Sequence, residues 1–89
     1  MRKLDLTHDA LKFLGILPPK QFRQVVTKVF ALMANPQPQD SKPLAGYDYW
    51  RADIGEYRIV YRFDHDFLYV ALVGKRNDSD IYKRLSRKG

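Results

Sequence analysis

Residues 47–82 constrain the fold of this chain more than any other segment, because two turn signals divide their alternating apolar and polar side chains. The pair at 55–56 suits a two-residue hairpin turn with Gly55 at the first central position. The Asp-His-Asp run at 64–66 supplies a second turn. The segment therefore predicts three antiparallel strands, and the polar residues at 77–78 can cap a helix that follows them.

The first turn also fixes which side chains share a face of the predicted sheet. It places Asp53 opposite Arg58 and Trp50 opposite Tyr61. Side chains alternate along a strand, so one face is apolar and the other carries the arginines. The predicted apolar face consists of Trp50, Ala52, Ile54, Tyr57, Ile59, Tyr61, Phe63, Leu68, Val70 and Leu72. The predicted charged face consists of Tyr49, Arg51, Asp53, Arg58, Val60, Arg62, Tyr69, Ala71, Val73 and Lys75.

A strand and two helices are predicted ahead of this sheet. Residues 3–7 are a candidate strand, and Thr7 can cap a helix that begins at residue 8 or 9 and ends at the prolines 18–19. Pro19 can open the second helix, because a proline at the first helical position loses no hydrogen bond. The second helix should bury the apolar side chains that recur with helical spacing. These are Phe22, Val25, Val26, Val29, Phe30 and Met33.

After the second helix, the sequence predicts a loop. Asn35-Pro36 stops the helix, and the prolines up to Pro43 argue against regular structure before Gly46. Residues 1–89 are thus expected to form one α+β domain. The strand and helices pack on the apolar face of an antiparallel sheet that ends in a three-strand meander, and a short helix closes the chain. The opposite face is expected to be open, basic and partly aromatic.

The composition sets the class of protein and the kind of partner. With 45% hydrophobic residues in 89, the chain is one small domain and not a disordered basic tail. Its net charge of +6 favours phosphate-rich partners. The lack of cysteine excludes disulfides and thiolate metal sites. No apolar run reaches the roughly 20 residues of a membrane span, and Asp5 interrupts a signal peptide, so we expect a cytoplasmic protein.

Familiar catalytic motifs are mostly missing. The five glycines are scattered, and none forms a phosphate-binding loop. His8 lies at a helix start and His65 at a turn, so the predicted fold keeps them apart. Asp64 and Asp66 are explained by their turn, and the acids form no metal-ligand cluster. An enzyme built on this chain is therefore expected to use no metal, no cofactor and no histidine.

The arginines of the charged face could serve RNA cleavage by the ribose 2′-hydroxyl, which needs cations around the phosphorane and groups that move protons. Arg51, Arg58 and Arg76 can converge on one phosphate, and Tyr82 can stack a base or position a proton. The other interpretation is a set of solvated arginines, with an Asp53–Arg58 ion pair worth under about 1 kcal/mol. The residues alone favour this second interpretation. Side chains that could extend an RNA-binding surface are Arg62, Lys75, Lys83 and Arg84.

Two runs resemble the RelE-type toxins of bacterial type II toxin–antitoxin modules, which form part of the RelE/ParE toxin superfamily. The first is GEYRIVYRF at 55–63, and the second, after an apolar strand, is GKRNDSDIY at 74–82. The first run is shared with the wider RelE/ParE group, whereas the two together are closer to the RelE branch. The family's order of elements matches the predicted order along essentially the whole chain.

The resemblance implies an enzyme that cuts mRNA in the ribosomal A site without a metal or cofactor. By position, Arg58 matches the arginine of the family's central strand, Arg76 the one after the last strand, and Tyr82 the helix tyrosine. Arg51 falls where a first basic residue is common. Asp53 departs from the pattern, because some members have a second lysine there. It could act as general base or hold Arg58, and we favour the second role.

The resemblance also implies partners, namely a cognate antitoxin, the ribosome and mRNA, and no membrane. Antitoxins of this family are acidic and partly disordered until bound, which suits the positive charge of this chain. We expect the antitoxin to cover the basic face or to displace the C-terminal helix with Tyr82. Two alternatives stay open: a ParE-like inhibitor of DNA gyrase, and a non-catalytic RNA-binding module.

Overall fold

The computed structural model describes residues 1–77 and 80–88, without the side chains of 80, 87 and 88. Its elements are β1 (Lys3–Leu6), α1 (His8–Gly15), α2 (Pro19–Ala34), β2 (Ser41–Pro43), β3 (Trp50–Ile54), β4 (Tyr57–Phe63), β5 (Phe67–Lys75) and α3 (Asp80–Lys88). The strands form one sheet in the order β1-β5-β4-β3-β2, with β1 parallel to β5 and the other pairs antiparallel. The predicted α+β class is confirmed.

Local signals in the sequence set the starts of the first two helices. The Thr7 hydroxyl accepts a hydrogen bond from the Ala10 N–H at 3.1 Å and so caps α1. The same hydroxyl donates to the Ala71 carbonyl at 2.5 Å, which ties the start of α1 to β5. Pro19 opens α2, where its missing N–H costs nothing. Both helix starts are therefore where the sequence predicted them.

A short edge strand replaces part of the loop predicted after α2. β2 pairs with β3, so that Ser41 lies opposite Ala52 and Lys42 opposite Arg51. Three residues are too few to show an alternating pattern, and a proline is tolerated in an edge strand because one side of that strand is unpaired. The prediction of no regular structure in this segment was wrong.

α2 buries a narrower stripe than its sequence predicted. Val25, Val29 and Leu32 are buried, whereas Phe22 and Phe30 are 41% and 54% exposed. At about 100° per residue, Phe30 lies about 140° around the helix from Val25, outside the arc that a single sheet face covers. The prediction that both phenylalanines belong to the core was wrong, and their rings lie on the outer surface.

A β-bulge changes which face the end of β5 presents. The register between β4 and β5 shifts after Val60, so that Ala71 is the extra residue. Beyond Ala71 the alternation is inverted. Leu72 lies on the face opposite α1 and α2, while Val73 and Lys75 lie on the helix side. The sequence predicted the reverse for these three residues, because nothing in an apolar run marks an inserted residue.

The sheet carries an apolar cluster on each face. The larger cluster lies under α1 and α2. The smaller cluster lies under α3 and consists of Leu44, Val60, Leu72, Ile81 and Leu85, each at most 4% exposed. α3 therefore covers part of the face that the sequence predicted to be open. The remainder of that face carries the arginines.

The Tyr61→Phe variant tests how β4 holds the segment after α2. The Tyr61 side chain is fully buried, and its hydroxyl donates to the carbonyl of the buried Pro36 at 2.5 Å. Removing the donor should lower the free energy of unfolding by about 1–3 kcal/mol, measured by urea denaturation. Tyr69→Phe is the control, because the Tyr69 hydroxyl bonds to Asp64 at an exposed position. Equal losses in both variants would contradict this account.

Candidate active site

The centre of the candidate site is an ion pair between the two strands of the β3–β4 hairpin. Gly55 has a φ of 57°, as the first central position of the predicted turn requires. The turn places Asp53 opposite Arg58, as predicted. Arg58 donates from Nε to Asp53 Oδ1 at 2.8 Å and from Nη2 to Oδ2 at 3.2 Å. This two-point contact orients the plane of the guanidinium group.

Two further arginines lie around the Asp53 carboxylate. Arg51 Nη1 is 3.5 Å from Asp53 Oδ2. Arg76 is held by its backbone N–H, which donates to the Glu56 carbonyl at 2.9 Å, and its positive charge acts on Asp53. Three cations (+3) and one carboxylate (−1) leave the cluster with a net charge of +2. Such a cluster can bind a phosphate group.

α3 brings Tyr82 to the same cluster. Arg58 Nη1 donates to the Tyr82 hydroxyl at 3.4 Å, a long contact, and the Tyr82 ring centre is 6.3 Å from that of Tyr47. Tyr82 is 39% exposed and therefore accessible to a ligand. Sequence reasoning missed Tyr47, because it lies in a loop without a periodic pattern. The structure thus joins three of the predicted catalytic residues to Asp53 directly or through Arg58, namely Arg51, Arg58 and Tyr82, and the charge of the fourth, Arg76, acts on Asp53.

The surroundings of Asp53 suit it to hold arginines better than to accept a proton. The hydrogen bond from Arg58 lowers the pKa of the Asp53 carboxyl against the opposing effect of partial burial, and the charges of Arg58, Arg51 and Arg76 lower it further. The same contact raises the pKa of Arg58. A carboxylate with a lowered pKa is a weak general base. Of the two roles left open for Asp53, the geometry favours that of holding Arg58.

The exposure of Arg58 argues against the interpretation that the arginines of this face are simply solvated. Its side chain is 14% exposed, and that of Asp53 is 26% exposed. Two charged partners that are largely screened from water and joined at two points form a more rigid pair than an exposed surface contact. The guanidinium group is therefore held in one orientation before any ligand arrives.

Arg62 lies on the same face of the sheet but apart from the cluster. It is four positions from Arg58 along β4, which corresponds to about 13 Å. Its guanidinium carbon lies over the Tyr69 ring, 5.3 Å from the centre. Asp48 and Asp64 line the same cavity, so this end of the sheet is less favourable for a phosphate than the cluster.

The remaining predicted RNA contacts have three different surroundings. Lys83 is exposed on α3. The bulge carries Lys75 to the helix side of the sheet, where it lines a cavity between α1 and α3. Arg84 is paired with Asp9, and its guanidinium carbon lies 5.6 Å from the centre of the Phe13 ring. The structure therefore turns Lys75 to the helix side of the sheet, which corrects its predicted face, and it pairs Arg84 with Asp9.

The described part of the chain shows neither a metal-ligand group nor a membrane segment. Within residues 1–77 and 80–88, no three side chains of His, Asp or Glu are grouped so that they could hold a metal ion. In the same ranges, no helix has the length and apolar character needed to cross a bilayer.

Comparison with known proteins identifies the family. Residues 4–79 match the family described as ParE toxin of the type II toxin–antitoxin system, parDE. A chain of the toxin–antitoxin complex RelBE2 from Mycobacterium tuberculosis has 30% sequence identity and a TM-score of 0.74, over 84% of this chain and 98% of that chain. This chain belongs to the RelE/ParE family of toxins. The predicted family resemblance is therefore confirmed.

The fold of this toxin recurs in solved RelE structures. A mutant of Escherichia coli RelE in the free state has 23% identity and a TM-score of 0.79, over 98% of this toxin and 96% of that chain. The intact E. coli RelBE toxin–antitoxin complex gives 25% identity and a TM-score of 0.72, over 84% and 96%. No curated protein sequence matches at a significant level. These comparisons confirm the predicted RelE-like architecture.

The Asp53→Asn variant tests the electrostatic role of Asp53. Because its pKa is lower in the folded toxin than the usual 3.8, the charged carboxylate stabilises the fold. This contribution is complete above the unfolded-state pKa and is lost as the pH falls through the lower folded-state pKa. The stability difference between wild type and variant should therefore be constant from about pH 7 to 5 and shrink below about pH 4.

Urea denaturation across this pH range measures that difference. Asp5→Asn is the matched control, because it removes an exposed carboxylate and changes the net charge equally. A stability difference for Asp53→Asn that is the same at pH 3 as at pH 7 would contradict a role based on charge.

Proposed function

We propose that this toxin cleaves mRNA on the ribosome, with Arg51, Arg58, Arg76 and Tyr82 placed around the scissile phosphate. One observation carries the proposal: Asp53 holds Arg58 at 2.8 Å, and Arg58 lies 3.4 Å from the Tyr82 hydroxyl. The cluster contains the cations and the hydroxyl group that cleavage by a ribose 2′-hydroxyl can use. The similarity to a chain of the RelBE2 toxin–antitoxin complex supports the RelE branch of the family.

In the proposed reaction the ribose 2′-oxygen forms a bond to the adjacent phosphorus, and the 5′-oxygen of the next nucleotide leaves. Negative charge develops on the phosphorane oxygens, where Arg58 and Arg76 can donate hydrogen bonds. Arg51 adds a third cation. Tyr82 can exchange a proton with a reacting oxygen or stack on a base. The lowered pKa of Asp53 makes it a poor proton acceptor. The general base that takes the proton from the ribose 2′-hydroxyl is therefore expected to come from the ribosome or the RNA.

The proposed partners are the ribosomal A site with its mRNA, which implies a cytoplasmic toxin, and a cognate antitoxin. The RelBE2 and E. coli RelBE structures are toxin–antitoxin complexes. An acidic antitoxin would complement the net charge of +6 on this chain. It would cover the arginine cluster or displace α3 together with Tyr82. Lys83 and Arg62 remain candidates for RNA contacts beyond the scissile phosphate.

Cleavage should depend on the ribosome. The cluster lies on an open face, so a free RNA strand is not held in the geometry that cleavage needs, whereas a ribosome can order it. We expect purified toxin to cut mRNA in programmed ribosomes and to leave the same naked mRNA intact at physiological salt, as read by primer extension. Efficient, EDTA-resistant cleavage of naked RNA would contradict ribosome dependence.

Arg58→Ala and Arg76→Ala should each lower the cleavage rate by a factor on the order of 10² or more, because each removes a cation from the phosphorane. Tyr82→Phe distinguishes two roles of Tyr82. The variant should lose activity if the hydroxyl takes part in the reaction, and it should keep activity if only the ring stacks on a base. Arg23→Ala, at an exposed position on α2, is the control. Single-turnover cleavage on programmed ribosomes measures all four. A variant that carries both Arg58→Ala and Arg76→Ala should be inactive. Full cleavage activity of this double variant, at the same soluble concentration as wild type, would overturn the assignment of the two arginines to the active site.

These variants differ in their expected effect on stability. Arg76 is exposed, so its loss should change the free energy of unfolding by less than about 1 kcal/mol. Arg58 is largely buried and makes two hydrogen bonds to Asp53, so its loss should cost about 1–3 kcal/mol. Rates are therefore compared at a temperature where urea denaturation shows each variant to be folded.

A second candidate function is inhibition of DNA gyrase through protein contacts, as in ParE-like toxins. The match to the ParE toxin family favours it. The convergence of Arg58, Arg76 and Tyr82 favours the nuclease, because a protein-contact inhibitor does not need these side chains together. A supercoiling assay with purified gyrase separates the two. Gyrase inhibition that survives the double arginine substitution would support the ParE-like function.

A further inference from the structure

α3 carries Tyr82, so the contacts that fix this helix also fix Tyr82 relative to Arg58. Ile81 and Leu85 anchor the helix in the small apolar cluster, with exposures of 2% and 4%. They are four residues apart and therefore form a single row along one side of the helix. A single row resists sliding and lifting of the helix but offers little resistance to rotation about the helix axis.

A second contact lies on the flank of α3 that is turned away from Tyr82. Arg84 donates from Nε to Asp9 Oδ2 at 3.4 Å and from Nη2 to Asp9 Oδ1, and it stacks over the Phe13 ring at 5.6 Å. The side chains of Arg84 and Asp9 are 15% and 31% exposed. At about 100° per residue, Tyr82 and Arg84 lie about 200° apart, on opposite sides of the buried row. The ion pair is thus placed to resist rotation.

Gly74 on β5 allows α3 to approach the sheet this closely. A Cβ atom at position 74 would lie 2.9 Å from Ile81 Cγ1 and 3.1 Å from Arg84 Nη1. No larger residue fits there without moving the helix or the arginine. The helix therefore rests on strand backbone beneath Ile81, while Arg84 reaches past the glycine to α1.

We infer that the Asp9–Arg84 ion pair fixes the rotation of α3 and thereby holds the Tyr82 hydroxyl beside Arg58. Arg84 is a positioning residue that acts on the reaction through Tyr82, and it makes no contact with RNA. The catalytic consequence rests on the proposed function. The position of Tyr82 can be measured in the toxin alone.

The kinetic test is a double-mutant cycle between Arg84→Gln and Tyr82→Ala, measured as single-turnover cleavage on programmed ribosomes. Arg84→Gln should lower the maximal rate on the order of tenfold, because misplacement of a reacting group slows the chemical step. The ribosome concentration at half-maximal rate should stay unchanged, since the arginine cluster remains in place. In the Tyr82→Ala background, Arg84→Gln should change the rate less than about twofold.

Two kinetic outcomes would overturn the inference. Equal losses in both backgrounds would mean that Arg84 does not act through Tyr82. A weaker affinity for ribosomes with an unchanged maximal rate would make Arg84 an RNA contact, as the sequence alone had predicted.

Exchange of the two charges tests the ion pair itself. Asp9→Arg alone should reduce the rate, and adding Arg84→Glu should restore it to within a few fold. Lys12→Gln is the matched control, because it removes a cation that lines the same cavity and leaves the Asp9–Arg84 pair in place. No recovery in the exchanged variant, with a normal urea denaturation curve, would reject the ion pair as the positioning contact.

A readout that does not need cleavage is the ¹⁹F resonance of 3-fluorotyrosine placed at position 82. Arg84→Gln should shift this resonance towards its position in the unfolded toxin, whereas Lys12→Gln should not. An unchanged resonance in Arg84→Gln would overturn the inference even in an active toxin. The expected shift in a toxin that cleaves no mRNA would support the inference and reject the proposed nuclease function.

Discussion

The extra residue in β5 is the constraint on which the rest of the structure depends. If Ala71 took a regular place in the ladder and did not bulge, strict alternation would turn Leu72 towards α1 and α2 and would place Lys75 beneath α3. With the bulge, Leu72 joins Val60 in the small cluster, and Gly74 lies opposite Arg58 on the same face. The bulge thus decides which side chains of β5 face α1 and α2 and which face α3.

The parts of the fold that the sequence predicted are those in which local rules leave little choice. A two-residue turn has one register, so the pairing of Asp53 with Arg58 followed from Gly55 and its neighbours. An apolar run that is buried on both faces carries no mark of a bulge, so the face of Leu72 was predicted incorrectly. Likewise, helical spacing showed that α2 is amphipathic but not how wide an arc the sheet would cover, which left Phe30 outside the core.

In the candidate site, too, some residues could be predicted from local sequence and others could not. Arg58 and Tyr82 were named from the charged face and the predicted closing helix, and the resemblance to a family strengthened the assignment. Their meeting depends on how α3 packs on the sheet. The surroundings of Arg84 depend on Asp9, which is 75 residues away along the chain. No local pattern links the two, so a basic helix residue looked like an RNA contact. Contacts between distant elements thus set the difference between a binding side chain and a structural one.

Asp53 has a further consequence for selectivity among anions. Its carboxylate already occupies two donors of Arg58, so it acts as an internal substitute for a phosphate. The proposed phosphate ligand would have to displace Asp53 from these two donors or use the three that remain, and Asp53 is tethered by the hairpin and loses almost no entropy on binding. A flexible polyanion loses more entropy on binding than Asp53 does, so it would compete poorly for these two donors. A phosphate that a larger assembly already holds in place would have the same advantage as Asp53, so under the proposed function the arginine cluster should favour ligands that are firmly held.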